Sequence, residues 1–476
     1  MTEPHLCMQS REHGGLRVFK KLSTHGNAER RHLLIDGMHP EDVAMLQALY
    51  SRSAASVEEH MKKVLATGSG KFMESFYVRY NHKSIGDGGS TTLFLENVSM
   101  LCAKGIEDWP LFSGQETSTR FIDMSLQPLA NPVGTDEARE IQVAWMAFYS
   151  MHQERVAAEV RRRHTKKPDE TNKDYEAAVK TRTFDIMRGF LPAGLCTNVS
   201  WHTNLRQASD HLALLRHHPS PELRGAAADL TTLLAEAYPS SIGVSATADV
   251  SSVNGGEAER EAWRAQVAAA YSYPVERPVE DNLANGQSWT FDAHKIDRYR
   301  MSQYDDLLSG RPRGAVLPHF LTDLGQIYLS FLLDFGSFRD AQRHRNGVCR
   351  MPLLTLRHGM HPWYLDQLDE GLAKDVRDLV AHLSRRISKI DDPVLRQYYI
   401  PMGMRVACQI TYGLPSAIYV AELRGAKTVH PTLRQVAHWM HNSIKGAFPQ
   451  IALHSDMDPD DWSLRRSQQT ITEKSA

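Results

Sequence analysis

The chain has few cysteines, no excess of charge of either sign and no long apolar run among its 476 residues. Its five cysteines, Cys7, Cys102, Cys196, Cys349 and Cys408, are odd in number and widely spaced, with no Cys-x-x-Cys pair and no Cys/His cluster at zinc spacing. A disulfide framework and a structural zinc are therefore not expected, whereas a reducing compartment is. Lys and Arg number 55 against 56 Asp and Glu, giving a formal net charge of −1 and a pI near 7.1. That balance argues against a protein that wraps a polyanion or lies on a membrane surface, so any anion recognition should be local. The stretch MTEPHLCMQSREHGG at the amino end has no apolar core of signal-peptide length, and no later run reaches membrane-spanning length. A soluble, cytoplasmic protein with neither nucleic acid nor membrane as partner is expected, built from two or three domain-sized units.

What is present is concentrated in Ser113-Gly114-Gln115-Glu116-Thr117-Ser118-Thr119-Arg120-Phe121. An extended backbone would put Glu116, Ser118 and Arg120 in a row on one face and Gln115, Thr117, Thr119 and Phe121 on the other. The row offers an acceptor, a hydroxyl and a guanidinium. It can hold a flat, polar, anionic molecule, with Arg120 gripping a phosphate and Ser118 and Glu116 reading a ring edge. The same pattern also suits a polar edge strand with an incidental ion pair.

Ser113, Glu116, Ser118 and Arg120 match in place the second half of the signature Arg-His-Arg-x-x-Ser-x-Asn-Glu-x-Ser-x-Arg-Tyr, with Gln115 for Asn and Phe121 for Tyr. In this the chain resembles the flavin-dependent thymidylate synthases. The first half is displaced: Asp108-Trp109-Pro110 fills the Arg-His-Arg positions, and the triplet occurs instead as Arg343-His344-Arg345. After that triplet Val348, Arg350, Met351, Leu353 and Thr355 fall where Ser, Asn, Glu, Ser and Arg should be. The signature is split between two parts of one chain.

Other anchors fall in a repeated order. Pro192, Leu215-Arg216, Arg224 and Pro239 are followed by Pro401, Leu423-Arg424, Arg434 and Pro449. Arg224 to Pro239 and Arg434 to Pro449 are each 15 residues apart, and Pro192 to Arg216 spans 24 residues against 23 for Pro401 to Arg424. This is a long-period internal repeat. The expected organisation is a polar extension over 1–40, a first synthase-like repeat over 41–239, a linker over 240–290, a second repeat over 291–460 and a tail over 461–476. The fold class implied by the resemblance is α/β, as two tandem synthase-like α/β units. Helices are expected from Pro40 to Leu65, from Glu222 to Ala237 and near Glu257 to Ala270, and in the charged insert between about 127 and 180. Phe320, Leu324, Ile327, Tyr328, Phe331, Phe335 and Phe338 are at helical spacing and predict one long helix ending at Arg343-His344-Arg345. The basic run Arg161-Arg162-Arg163-His164-Thr165-Lys166-Lys167 is expected to be a solvated helix end or loop.

The resemblance implies reductive methylation of dUMP at ring carbon 5, with methylenetetrahydrofolate as one-carbon donor, FAD as cofactor and NADPH as reductant. It implies substrate contacts from Glu116, Ser118, Arg120, Arg188 and Gln342, and a catalytic role for Ser118 and for Arg216 against the uracil edge. The flavin falls to Arg343, His344 and Arg345, to His82, Ser84 and Asp87 of Asn81-His82-Lys83-Ser84-Ile85-Gly86-Asp87, and to Asn204 and Arg206. The second repeat lacks the Asn-x-Arg element, since Gly413 and Pro415 sit there. Family members are homotetramers with sites shared between subunits, so a homo-oligomer, a dimer resembling that tetramer, is implied, with fewer sites per chain. Two further possibilities are a flavoenzyme of the same scaffold modifying another pyrimidine nucleotide, and a non-catalytic nucleotide- or flavin-binding paralogue.

Overall fold

The computed structural model describes residues 15–25, 28–79, 82–243, 257–271, 289–459 and 462. Cys7, Asn81, most of the expected linker and nearly all of the expected tail lie outside the described residues. The chain divides into two compact units: Met1–Leu93, Trp201–His217 and Gly225–Arg264 form the smaller, and Phe94–Ser200, His218–Arg224 and Ala265–Ala476 the larger. Both sequence repeats contribute to the larger unit.

In chain order, β1 (Arg17–His25) and β2 (Ala28–Asp36) come first, then α1 (Pro40–Tyr50) and α2 (Val57–Thr67). β3 (Ser90–Ser99), α3 (Met100–Glu107) and β4 (Ser113–Glu116) follow. The long helices α4 (Asp136–Arg163) and α5 (Asn172–Met187) lead to β5 (Cys196–Asn204), α6 (Leu205–Leu215), α7 (Pro221–Ala237) and α8 (Glu257–Tyr271). Then come β6 (Trp289–Asp292), β7 (Gln326–Asp334), α9 (Phe335–Ala341) and β8 (Gly347–Arg350). α10 (Glu370–Ile387), β9 (Arg405–Gly413), α11 (Leu414–Arg424) and α12 (Pro431–Ala447) complete the chain. The chain is thus of α/β class, as expected.

In the smaller unit, residues 17–36 are not a loose extension but an antiparallel hairpin, in register from Arg17 opposite Asp36 to His25 opposite Ala28. Its strands interleave Val18, Leu22, Leu33 and Ile35 with Arg and Lys, and that composition hid them. The expected Pro40 to Leu65 helix is two helices. Ser56 caps the second, its hydroxyl accepting from the Glu59 amide at 3.3 Å. A tight turn over Lys83–Gly88 rests on α1, where Gln47 donates to the Gly88 carbonyl at 2.9 Å.

In the larger unit four antiparallel strands run in the order β6-β7-β9-β8. The predicted long helix through Phe338 is therefore corrected: Gln326–Asp334 is the strand β7, and only Phe335–Ala341 is helical. β7 lies between β6 and β9, and its last six residues are all buried, so it carries a near-continuous apolar run whose spacing also satisfies a helix. Asp334 ends the strand and caps α9, accepting from the Ser337 amide at 3.0 Å. Arg343-His344-Arg345 follows that short helix, as expected.

The duplication is visible element by element. β5, α6 and α7 have 9, 11 and 17 residues, and β9, α11 and α12 have 9, 11 and 17. β5 sits between β3 and β4 as β9 sits between β7 and β8. Leu191-Pro192-Ala193 pairs with its own counterpart Ile400-Pro401-Met402: Pro192 and Pro401 form an antiparallel bridge, the Ala193 amide donates to the Ile400 carbonyl at 2.9 Å and the Met402 amide to the Leu191 carbonyl at 2.8 Å. Equivalent residues paired antiparallel are the mark of a local two-fold axis. The insert α4 packs over this crossing, with the Trp145 indole donating to the Tyr399 carbonyl at 3.0 Å. Its basic end is satisfied locally by Glu154, Glu159 and Glu176.

Candidate functional site

Strand β4 stops at Glu116. Gly114 allows it to lie against β5, because a Cβ there would stand 1.9 Å from the Ser200 carbonyl oxygen. After Thr117 the chain turns: the Phe121 amide donates to the Ser118 carbonyl at 3.3 Å, and the Ser118 hydroxyl accepts from the Arg120 amide at 3.3 Å. The extended row over Glu116, Ser118 and Arg120 is thus broken after its first member. Glu116 nonetheless points inward and forms an ion pair with Arg339 of α9. Arg120 donates to both oxygens of Asp185 at 2.6 and 2.9 Å and to the Thr428 carbonyl at 3.3 Å, so all three of its nitrogens are engaged. Glu116 comes from the first repeat and Arg339, four residues before the Arg-His-Arg triplet, from the second, and Arg343 of the triplet is within electrostatic reach of Glu116, so the two halves of the split signature approach each other in the larger unit.

Around this contact lies a cluster of arginines and carboxylates. Arg188 is 2% exposed, donates to the Ser337 hydroxyl at 2.7 Å, and has Asp334 at 3.9 Å and Asp340 at 3.8 Å. Arg343 lies 3.8 Å from Asp340 and within electrostatic reach of Glu107 and Glu116. Burial alone would raise the Asp340 carboxyl, but the cations of Arg343, Arg188, Arg424 and Arg120 outweigh that and hold it at about 2. Burial pushes the Glu116 carboxyl up, against the pull of Arg339. Gln342 is buried and donates to the Lys104 carbonyl at 3.3 Å. The side-chain carbonyl of Gln342 and Nε of Arg339 are buried without a hydrogen-bond partner, and a Glu107 carboxylate oxygen and a terminal nitrogen of Arg345, also without a hydrogen bond, form an ion pair with each other at 4.0 Å. Atoms left open in this way are what a polar ligand or bound water would satisfy.

The Arg-His-Arg triplet is splayed. Arg345 turns to the end of α3, donating to the Glu107 carbonyl at 3.2 Å with its guanidinium 4.6 Å from the Phe112 ring. His344 turns to α11, where its Nε2 accepts from Arg424 at 2.7 Å and its ring meets Tyr419 edge-on at 6.1 Å. Burial lowers the His344 imidazole to about 3, and the Arg424 cation adds to this, so the ring stays neutral near pH 7. With Nε2 accepting, the proton is on Nδ1, and the ring is a donor there. His344 lines a cavity of about 280 Å³ with Leu317, His319, Pro415, Ser416 and Tyr419.

The smaller unit brings together two of the expected flavin-contacting elements. Asp87 accepts from Arg206 at 2.7 Å, and Asn204 caps α6 by accepting from the Gln207 amide at 2.8 Å. His82 and Ser84 are exposed at the start of the same turn as Asp87. Burial, then the charges of Asp210 and Asp87, push the nearby Tyr77 hydroxyl up to about 12. Arg216 is at the other end of α6, roughly 15 Å along the helix axis from Arg206. It is 44% exposed and has Glu261 at 3.6 Å.

Sequence reasoning passed over Asp185, Arg339, Asp340 and Arg424. The signal for Arg424 was present in the Leu-Arg pair it shares with Arg216, although the ends of α6 and α11 set it level with Leu215, and the larger unit puts it on His344. At the repeat-related position four side chains of this site are replaced. By the same alignment Met351 stands for Glu116, Leu353 for Ser118, Gly105 for Asp340 and Gln397 for Arg188. These four line, with Lys104 and Tyr398, a mostly apolar cavity of only about 50 Å³. One repeat-related position is polar and the other is closed.

Among the described residues no group of His, Cys, Asp and Glu could hold a metal ion, and no helix is long and apolar enough to cross a membrane. Residues 33–240 match the family model described as thymidylate synthase complementing protein. The chain is similar to a UPF0159 protein of Thermoplasma acidophilum, 25% identical over 492 residues that cover 88% of this chain and 96% of the relative. It is also similar to a UPF0159 protein of Chlamydia pneumoniae, 24% identical over 440 residues, covering 80% and 81% of the two chains. Over residues 33–240 the chain is thus similar to the thymidylate synthase complementing protein family.

Proposed function

We propose that the chain is a flavin-dependent, thymidylate synthase-like enzyme that methylates dUMP reductively, with methylenetetrahydrofolate as one-carbon donor and NADPH as reductant. The observation that carries this reading is the ion pair of Glu116 with Arg339, which brings the helix leading into Arg343-His344-Arg345 of the second repeat onto a signature residue of the first. The donor set fits an acceptor-bearing aromatic ring: His344 offers Nδ1–H beside a cavity walled by Tyr419 and Pro415, and Arg343 and Arg345 lie next to it in the chain. A flavin held there would supply the hydride for reduction of the transferred carbon. Arg424 holds His344 as a neutral donor, Ser118 and Glu116 read the pyrimidine edge, and Gln342 supports that edge from behind. Arg216 and Arg424 share the Leu-Arg pair of the repeat, offset by one position at the ends of α6 and α11, and the bond of Arg424 to His344 favours Arg424 as the arginine of this site. His82, Ser84, Asp87, Asn204 and Arg206 are assigned to the flavin nucleotide. The active form is a homo-oligomer.

The engagement of Arg120 by Asp185 favours a second reading, a flavoenzyme of the same scaffold whose pyrimidine ligand is held without that arginine. The test is the visible spectrum of the purified protein followed by dUMP-dependent NADPH oxidation with methylenetetrahydrofolate. Flavin absorbance with dUMP-dependent turnover supports the first reading. A yellow protein indifferent to dUMP supports the second, and a colourless protein that cannot be reconstituted with FAD rejects both.

A further inference from the structure

The arginines of the composite site differ in how they are satisfied. Arg120, Arg339, Arg345 and Arg424 each donate at least one hydrogen bond to a carboxylate, carbonyl or imidazole. Arg343 makes no side-chain hydrogen bond among the described residues, and Nε of Arg188 is buried without a partner. Both of these face the Asp340 carboxylate at 3.8 Å, close enough for Coulomb attraction and too far for a hydrogen bond. The Asp340 carboxylate accepts no hydrogen bond among the described residues, although its backbone carbonyl is fixed by Arg424 at 2.7 Å. Exposure is graded: Arg188 is 2% exposed, Asp340 20% and Arg343 40%, so the carboxylate is at the mouth of the cluster.

We propose that Asp340 is a built-in counter-ion that determines how strongly this site takes an anionic ligand. Its carboxylate stands where a ligand phosphate would face Arg188 and Arg343, and a phosphate must displace it to bind. A phosphate has more acceptor oxygens and more charge than the carboxylate, and can satisfy the guanidinium donors that Asp340 leaves open. The cations that surround the carboxylate make its ionised form persistent, so protonation does not clear the position at working pH. The arrangement occurs once: in the first repeat Gly105 aligns with Asp340 and Asp108 with Arg343. The proposal rests on reading the composite site as a nucleotide site, and it moves the phosphate contact from Arg120 to Arg188 and Arg343.

The test is isothermal titration of the full chain with inorganic phosphate, and separately with dUMP and deoxyuridine. Asp340→Asn keeps the shape and removes the competing charge, and should bind phosphate about tenfold tighter or more. The preference for dUMP over deoxyuridine should grow by a similar factor. Arg343→Gln, at an exposed position that should not disturb folding, is expected to weaken phosphate binding in the natural chain and to cancel the gain in Asp340→Asn. Unchanged or weaker phosphate binding in Asp340→Asn overturns the proposal, as does indifference to Arg343→Gln. If phosphate behaves as expected while neither pyrimidine binds, the counter-ion stands and the nucleotide reading falls. If dUMP binds but Asp340→Asn gives no gain, the nucleotide reading stands and the counter-ion falls.

Discussion

Arg120 is a signature residue, and the structure gives it a cost that can be measured. Its guanidinium is 12% exposed and bonds both oxygens of Asp185, which is fully buried. Arg120→Met would remove the charge and keep much of the volume, leaving the Asp185 carboxylate inside the larger unit. Breaking a buried pair from one side typically costs about 3–5 kcal/mol, because the remaining charge loses a partner and stays out of water. Arg188, whose charge reaches Asp185, can recover part of this and sets the expectation at the lower end, about 3 kcal/mol. The double variant Arg120→Met with Asp185→Leu removes both charges, and should be more stable than either single variant. Urea unfolding followed by circular dichroism, with the transition of the larger unit fitted separately, reads these differences. The reasoning is refuted if Arg120→Met costs less than about 1 kcal/mol, the range of an exposed pair, since the guanidinium would then be free for a ligand.

Two other perturbations follow from the same geometry. Gly114→Ala forces a Cβ onto the Ser200 carbonyl and should cost about 1–3 kcal/mol or more, whereas Gly225→Ala, in α7 with nothing within 4 Å, should stabilise by roughly 0.5–1 kcal/mol; thermal unfolding of the two variants checks the contrast. His344 has a folded pKa of about 3, below its unfolded value, so the unfolded chain binds the extra proton between about pH 6.5 and 3. The stability associated with the neutral ring is therefore complete above pH 6.5 and is lost as pH falls through that window, and His344→Gln should flatten the fall. Urea midpoints across the window test this, and equal slopes for the two proteins would count against it.

Much of the site was legible because it is chemical. Glu116 and Arg343-His344-Arg345 were recognisable as the severed halves of one signature, and the near-constant spacing of Pro192, Arg224 and Pro239 against Pro401, Arg434 and Pro449 announced the duplication that β5-α6-α7 and β9-α11-α12 display. What escaped was decided by burial and pairing. β7 is covered on both faces, which fills its pattern with apolar residues and erases the alternation that marks a half-buried strand. The β1–β2 hairpin was masked by its charged residues. Alternation beyond Glu116 predicted a longer strand, but the Ser118 hydroxyl takes the Arg120 amide and turns the chain. The roles of Asp185, Arg339 and Asp340 depend on partners more than 60 positions away in sequence or on the meeting of the two repeats, and no local pattern encodes either.

The account turns on one polar site per chain, to which both repeats contribute, with its repeat-related counterpart closed. Titration of the purified, flavin-free protein with FAD, counted per chain, tests this most directly. The account predicts saturation at one flavin per chain and loss of tight binding in Arg343→Ala. Two flavins per chain, or undiminished binding in Arg343→Ala, would contradict it.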